Sequence, residues 1–267
     1  MSLARGLHRF VPVLGRRARA ERWRRTGARP RIWAHRGSSG RVTENTLEAF
    51  AAARDDGADG VEFDVHPCKS GEIVVFHDHD LARLAGRPER IRDLTWSELR
   101  EIRVTGGYRI PLLSEALEET EGLELDVEIK SPRFGAAGLH LTAEVARILA
   151  RHDAVERSLV SCFDPLPLLQ LHAHLPEVAL AFLFHAGEPW PVRKGLGAGL
   201  LLGASLMHPE SVLCTEKQVA AWRADGHAVN AWTVDEPEEL LRLAEVGVDG
   251  VFTNLPAQAR EVWAHLD

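Results

Sequence analysis

Two strings put acids where a strand interior should be apolar. In "GVEFDVH" (residues 60–66), Glu62 and Asp64 stand two apart, and "LELDVEIK" (123–130) spaces Glu124, Asp126, Glu128 and Lys130 the same way. Side chains two apart share one face of a strand, so each string has one apolar and one charged face. Carboxylates facing a packed interior without partners would be costly. Oxygen ligands gathered at strand ends suit one hard divalent cation, Mg²⁺ or Ca²⁺. Glu62, Asp64 and Glu128, nearest the C-terminal ends of their strands, are the expected ligands. Glu124 and Asp126 lie deeper and are expected to pair with Lys or Arg. Of thirteen histidines, His35 and His77 stand apart because each ends an apolar run, "RIWAH" and "EIVVFH". Arg36 follows His35 directly, and its planar donor fork suits a phosphate. Two histidines, three carboxylates, an Arg and a Lys on one face would serve metal-assisted displacement at phosphorus.

Such a face requires strands that all end on the same side. Along the chain, β-branched runs alternate with helical patterns such as "TLEAFAAARDDG" and "PEELLRLAEVG". The short "KSG" turn makes "EIVVFHD" the hairpin partner of 60–66. Setting that strand aside leaves eight strand–helix units, which predicts an α/β fold of the TIM (β/α)8 barrel type, a doubly wound open sheet being the alternative. Residues 31–267 read as one domain, with a small insertion at about 78–111 after the hairpin strand and no core of its own. There is no GxxxxGK[ST] loop, GxSxG elbow or HExxH pair. "GLGAGLLLG" (195–203) leads into a strand instead of opening a helix, so it reads as a flexible connection and not a phosphate loop.

The chain of 267 residues is 45% hydrophobic, enough for a substantial core, and has no apolar run near the roughly 20 residues of a spanning helix. Three cysteines without a CxxC pair point to a reducing, cytoplasmic setting. Charge is uneven. Residues 1–31 hold ten Arg and one acid, a net of +9; the whole chain carries −7, so the remainder carries −16. The acidic body argues against nucleic acid as a partner. The Arg-rich segment, residues 1–30, is read as a leader or first helix packed on the domain. It is expected to be dispensable for turnover and able to make a weak contact with an anionic membrane.

"HRG" followed by "ENTLEAF", then "GADGVEFDV", "VVFHDHDLAR", "VEIK" and finally "AWTVDEPEELLRLAEVGVDGVFTNLP" together resemble the glycerophosphodiester phosphodiesterase family, in order and spacing, from residue 32 to about 256. The resemblance implies a TIM barrel with a small insertion. It makes His35 and His77 the general acid/base pair and Glu62, Asp64 and Glu128 the ligands of one divalent cation. Arg36 and Lys130 become phosphate contacts, Glu44 reaches the site, Asn45 fixes the loop above the first helix, and Trp232 walls the substrate pocket. The implied reaction splits a small-molecule glycerophosphodiester into sn-glycerol 3-phosphate and an alcohol, the substrate's own 2-hydroxyl attacking first. This chain departs from the family pattern at Asp235, where Asn often follows "WTV", and at "ARLAG", which replaces Arg-Thr-Thr. Both departures bear on substrate preference. Two alternatives remain: a lysophospholipase D or sphingomyelinase D-like activity, for which "FLFHAGEPW" could line an acyl route, and a phosphodiester-binding module without turnover.

Overall fold

The computed structural model describes residues 15–130, 136–194, 198 and 202–266. Nine strands follow in order: β1 (Arg31–His35), β2 (Gly60–Pro67), β3 (Ile73–Val75), β4 (Glu124–Ile129), β5 (Ser158–Cys162), β6 (Ala179–Phe184), β7 (Leu206–Pro209), β8 (Ala228–Ala231) and β9 (Gly250–Thr253). All but β3 are parallel, and β1 pairs with both β2 and β9. That closure makes an eight-stranded barrel and excludes the open sheet. The longer helices are α1 (Arg16–Trp23), α2 (Leu47–Asp55), α3 (Leu113–Glu119), α4 (Ala136–Arg151), α5 (Pro165–His174), α6 (Glu216–Ala224), α7 (Pro237–Val246) and α8 (Pro256–Val262). From α2 onward they follow strands and cover the barrel's outer face. The two-residue alternation holds: Ile32, Ala34, Val61, Phe63, Leu125 and Val127 face the helices in the main core. Trp33, Leu159, Ala181, Leu206, Ala228 and Phe252 fill the barrel interior.

The hairpin partner β3 runs antiparallel to β2, pairing Val65 with Val75 and Pro67 with Ile73. His77 therefore arrives from outside the ring of eight strands, not from the end of a barrel strand. The segment after it has its own small core, in which Phe76, Leu81, Ile91, Leu99, Ile102 and Ile110 are buried together. This corrects the expectation of a coreless insertion. Its apolar residues are dispersed among the short helices Ala82–Ala85 and Trp96–Leu99 and the turns around them, each too short to show a period. Most of the glycine-rich stretch 195–203 lies outside the described residues.

The first helix packs on the barrel, and it does so at the floor. Trp23, at its last turn, packs against Trp33 with the rings tilted by 35° and centroids 5.8 Å apart, and Trp33 stacks on Phe252 at 5.9 Å. Gly60 makes room for this, since a Cβ there would come within 2.5 Å of the Trp33 ring. Arg16 donates to the His227 ring at 3.0 Å and to the Asp225 carbonyl at 2.7 Å, and Arg31 donates to the Trp23 carbonyl at 2.7 Å. Residues 16–23 thus form a helix packed on the domain, one of the two readings of the segment, and a deletion through residue 25 is expected to open the barrel floor. Trp23→Ala removes a fully buried indole and is expected to cost about 3–5 kcal/mol. In a chain this long that lowers Tm by roughly 10 °C. Calorimetry of the variant tests this, with turnover below the transition kept within a few-fold because the floor lies opposite the site.

Candidate active site

Strand register stacks the charged residues in layers. His35 is level with Glu62 and Glu62 with Asp126; one step toward the strands' C-terminal ends, Asp64 is level with Glu128. At the end of β1 the chain turns through two consecutive left-handed residues, Arg36 (φ 58°) and Gly37 (φ 82°). This turns the Arg36 amide toward Glu62, to whose Oε2 it donates at 2.9 Å. The triplet Glu44-Asn45-Thr46 then divides three tasks. Glu44 accepts from Arg36 at 2.9 Å and from both terminal nitrogens of Arg83. Asn45, itself left-handed at φ 56°, donates to Asp64 Oδ2 at 2.7 Å. Thr46 caps α2 by accepting from the Ala49 amide. Asn45 therefore does more than fix the loop, because it holds a carboxylate of the site.

Oxygens of Glu62, Asp64 and Glu128 all lie within 4.8 Å of one another, and the three residues are buried. Lys130 Nζ bridges Asp64 Oδ1 at 2.9 Å and Glu128 Oε1 at 2.5 Å. Burial and the neighbouring carboxylates push Glu62 well above the usual carboxyl range, and burial raises Glu128 to about 7. Burial also works to raise Asp64, but Lys130 and Arg36 outweigh it and hold Asp64 ionised. Among the described residues Glu62 Oε1 is buried with no hydrogen-bond partner. An orphaned carboxylate oxygen beside two further acids is the environment a divalent cation relieves, so these residues fit one.

Both histidines present the same nitrogen to the site. His35 Nδ1 lies 2.8 Å from Asn254 Oδ1, and Asn254 Nδ2 donates to Asp235 Oδ2 at 2.6 Å. Asp235 also accepts from the Thr253 hydroxyl and the Asn254 amide. A carboxylate only accepts, so Asn254 turns its NH₂ toward Asp235 and its oxygen toward His35. His35 then carries its proton on Nδ1, leaving the Nε2 lone pair 4.0 Å from Glu62 Oε2. His77 Nδ1 lies 2.7 Å from Asp78 Oδ1, with Arg83 Nε donating to the other Asp78 oxygen, which leaves His77 Nε2 equally free. Burial, then Arg36, lowers His35 to about 4; burial, with Lys130 and Arg36, also lowers His77.

His35, His77, Arg36 and Lys130 line one cavity of about 160 Å³ with Glu62 and Glu128. Its far wall is Trp232, Phe163 and Phe252, and Phe163 meets Trp232 edge-on at 5.7 Å. Glu44 borders the cavity through Arg36. Below it, Glu124 pairs with Arg31 at 2.9 Å, as expected. Asp126 instead pairs with His208 at 3.3 Å, and His208 lies 3.1 Å from Asn230 Nδ2. The partner is a histidine because the opposite strand β7 supplies one at that layer, a cross-barrel pairing that spacing within one strand does not reveal. Asn254, Asp78 and Arg83 were not anticipated. Asn254 directly follows β9 much as His35 ends β1, so the same strand-end rule would have found it.

No helix among the described residues is long and apolar enough to cross a membrane. The glycerophosphoryl diester phosphodiesterase family matches residues 35–258 of the chain. A glycerophosphodiester phosphodiesterase of Caldanaerobacter subterraneus is 30% identical over 236 residues, covering 84% of this chain and 94% of its own. One from Bacillus altitudinis is 30% identical over 248 residues, covering 87% and 97%. Among solved structures, an Oleispira antarctica phosphodiesterase in complex with the product sn-glycerol-3-phosphate superposes with a TM-score of 0.80 at 28% identity, over 88% of this chain and 97% of that one. The glycerophosphodiester phosphodiesterase of Thermotoga maritima gives 0.74 at 28% identity, over 87% and 98%. With a closed barrel, a carboxylate trio and two oriented histidines at one cavity, and a match across most of its length, the chain belongs to the glycerophosphoryl diester phosphodiesterase family.

Proposed function

We propose that the protein hydrolyses small glycerophosphodiesters to sn-glycerol 3-phosphate and an alcohol, with His35 and His77 as the acid/base pair and one divalent cation, Mg²⁺ or Ca²⁺, held by Glu62, Asp64 and Glu128. Family membership makes it a phosphoric diester hydrolase. The observation that carries the finer reading is the convergence of two histidines, each held at Nδ1 and free at Nε2, on the cavity that also contains the carboxylates. A module that only binds phosphodiesters has no use for two oriented acid/base groups. Arg36 and Lys130 face the phosphate's equatorial oxygens, and Trp232 packs against the substrate's carbon skeleton. When bound, the cation supplies Lewis-acid polarisation of the phosphoryl oxygen and lowers the pKa of a hydroxyl beside it. The chain's three cysteines are all free and buried, which agrees with a reducing, cytoplasmic setting.

The chemistry proceeds in two displacements. The glycerol 2-hydroxyl oxygen bonds to phosphorus while one histidine takes its proton at Nε2. The bond from phosphorus to the alcohol breaks, and the other histidine, which enters the step as the imidazolium with Nε2 also protonated, delivers that proton to the departing oxygen. The roles then reverse as water opens the cyclic diester. A glycerophosphocholine analogue without the 2-hydroxyl is expected to turn over at least about a hundredfold more slowly, because the intramolecular nucleophile is lost. Equal rates for analogue and parent would put water in the first step. If the enzyme hydrolyses no glycerophosphodiester with either cation, the whole assignment fails.

A further inference from the structure

Arg83 belongs to the insertion and does not line the catalytic cavity, yet its guanidinium reaches two of the site's working parts. Nε donates to Asp78 Oδ2 at 2.7 Å, and the terminal nitrogens donate to Glu44 Oε2 at 2.8 Å and Oε1 at 2.6 Å. Asp78 holds His77 by Nδ1, and Glu44 accepts from Arg36 Nη1 at 2.9 Å. One side chain thus stands behind both a proton-transfer group and a phosphate contact, which come from different segments of the chain. The insertion's core aims it. Leu81 is fully buried and Leu84 packs on the same cluster, so the short helix Ala82–Ala85 is pinned on both sides of Arg83. Asp80 starts that turn by accepting from the Ala82 amide at 3.0 Å, and left-handed Gly86 (φ 65°) ends it. A second tie runs alongside. Thr105 Oγ1 donates to the Leu84 carbonyl at 3.1 Å, and Thr43 Oγ1 donates to the Thr105 carbonyl at 2.8 Å. The loop leading into α2 is therefore fastened to the insertion at two consecutive residues, Thr43 and Glu44.

Charge gives the arrangement a further consequence. Glu44 is one carboxylate between two guanidiniums. Burial works to raise it, but Arg83 and Arg36 outweigh that and hold it ionised. An arginine and a carboxylate with no competitor favour two parallel hydrogen bonds. Here Arg83 takes both Glu44 oxygens, and Arg36 is left with one bond to Glu44 and a 3.4 Å ion pair from Nε to Asp64. Neither contact uses Arg36 Nη2, and Arg36 lines the cavity. Without Arg83 the same carboxylate could close on Arg36 with both oxygens and turn its donor fork away from the cavity.

We propose that Arg83 is a positioning residue with two simultaneous duties: it holds the His77 ring through Asp78, and by occupying Glu44 it keeps the Arg36 fork available to the phosphate. This rests on the phosphodiesterase reading of the cavity. It also gives the insertion a task, that of carrying one guanidinium to the point where the loop after β1 meets the segment after β3. Because Arg83 does not line the cavity, its effects pass through His77 and Arg36.

The test is a pair of double-variant cycles read with glycerophosphocholine. Arg83→Met keeps most of the apolar stem and removes every donor. It is expected to lower kcat roughly tenfold or more, because a small misplacement of a reacting group is costly. It should also raise KM roughly tenfold, the order of effect of one charge-assisted hydrogen bond. In a His77→Ala background the kcat effect should vanish and the KM effect remain; in an Arg36→Met background the reverse is expected. Arg83→Lys has a single ammonium that can serve Glu44 or Asp78 but not both, so it should restore one parameter and leave the other impaired. Calorimetry with sn-glycerol 3-phosphate should show affinity about tenfold weaker in Arg83→Met, and no further loss when Arg83→Met is added to Arg36→Met. The cation-dependent thermal shift should persist in Arg83→Met, since the carboxylate trio is untouched. Unchanged kcat and KM in Arg83→Met, full additivity in both cycles, recovery of both parameters in Arg83→Lys, or loss of the thermal shift overturns the proposal. A parent enzyme that binds sn-glycerol 3-phosphate with this dependence on Arg83 and Arg36, yet hydrolyses no glycerophosphodiester, would support the link to Arg36 and sink the phosphodiesterase reading instead.

Discussion

Chelation is expected to cut glycerophosphocholine turnover roughly a thousandfold, a barrier change of about 4 kcal/mol of the kind a Lewis-acid cation supplies. Adding Mg²⁺ or Ca²⁺ back should restore it. The physical basis lies in three buried carboxylates whose charge Lys130 and Arg36 offset in part. Burial and mutual repulsion already push two of the three toward protonation. A bound cation reverses that, so it should also raise Tm in proportion to the logarithm of its concentration. Glu62→Gln, Asp64→Asn and Glu128→Gln should each lose most of that thermal shift together with activity. Asp64→Asn should be the most damaging to the fold as well, because Asp64 anchors Lys130, Arg36 and Asn45. Full turnover in the chelated enzyme, or an unchanged thermal shift in all three variants, would remove the cation from the mechanism.

What the sequence discloses is what periodicity can carry. Alternating acids in "VEFDV" and "LELDVEIK" place Glu62, Asp64, Glu128 and Lys130 on the inner face, and the barrel register then brings the two strings level. The count of strand–helix units yields the closed barrel. Relations between strands distant in sequence are not written in any window. Asp126 meeting His208, and His35 meeting Asn254 across 219 residues, depend on closure and shear, which no local pattern encodes. The insertion's core was hidden for the opposite reason: its apolar residues are present but sit in turns too short to show a face. Trp23 was hidden by its surroundings, a single indole in an Arg-rich run whose burial depends on Gly60 making room for Trp33 beneath it.

Replacing either histidine by alanine should lower turnover by ~10²–10⁴, the usual contribution of general acid–base catalysis, while the cation-dependent thermal shift persists. The second half separates a proton-transfer role from a ligand role, since neither ring is needed to gather the carboxylate oxygens. The two positions should differ in how they respond to their supports. His77 leans on Asp78, its neighbour in sequence, which Arg83 secures in turn. His35 depends on Asn254, whose amide is oriented by Asp235. Asn254→Ala therefore should cost part of the His35 effect with KM little changed, because the ring loses its Nδ1 acceptor and with it the fixed aim of Nε2. Asp235→Asn retains one acceptor oxygen but lets the 235 side chain also donate, so Asn254 can flip and present NH₂ to His35. That variant should fall between Asn254→Ala and the parent. Combining Asn254→Ala with His35→Ala should add nothing further if the amide acts only through the ring. Full additivity in that double variant, measured as kcat, would show that Asn254 contributes by another route and that the orientation of His35 does not depend on it.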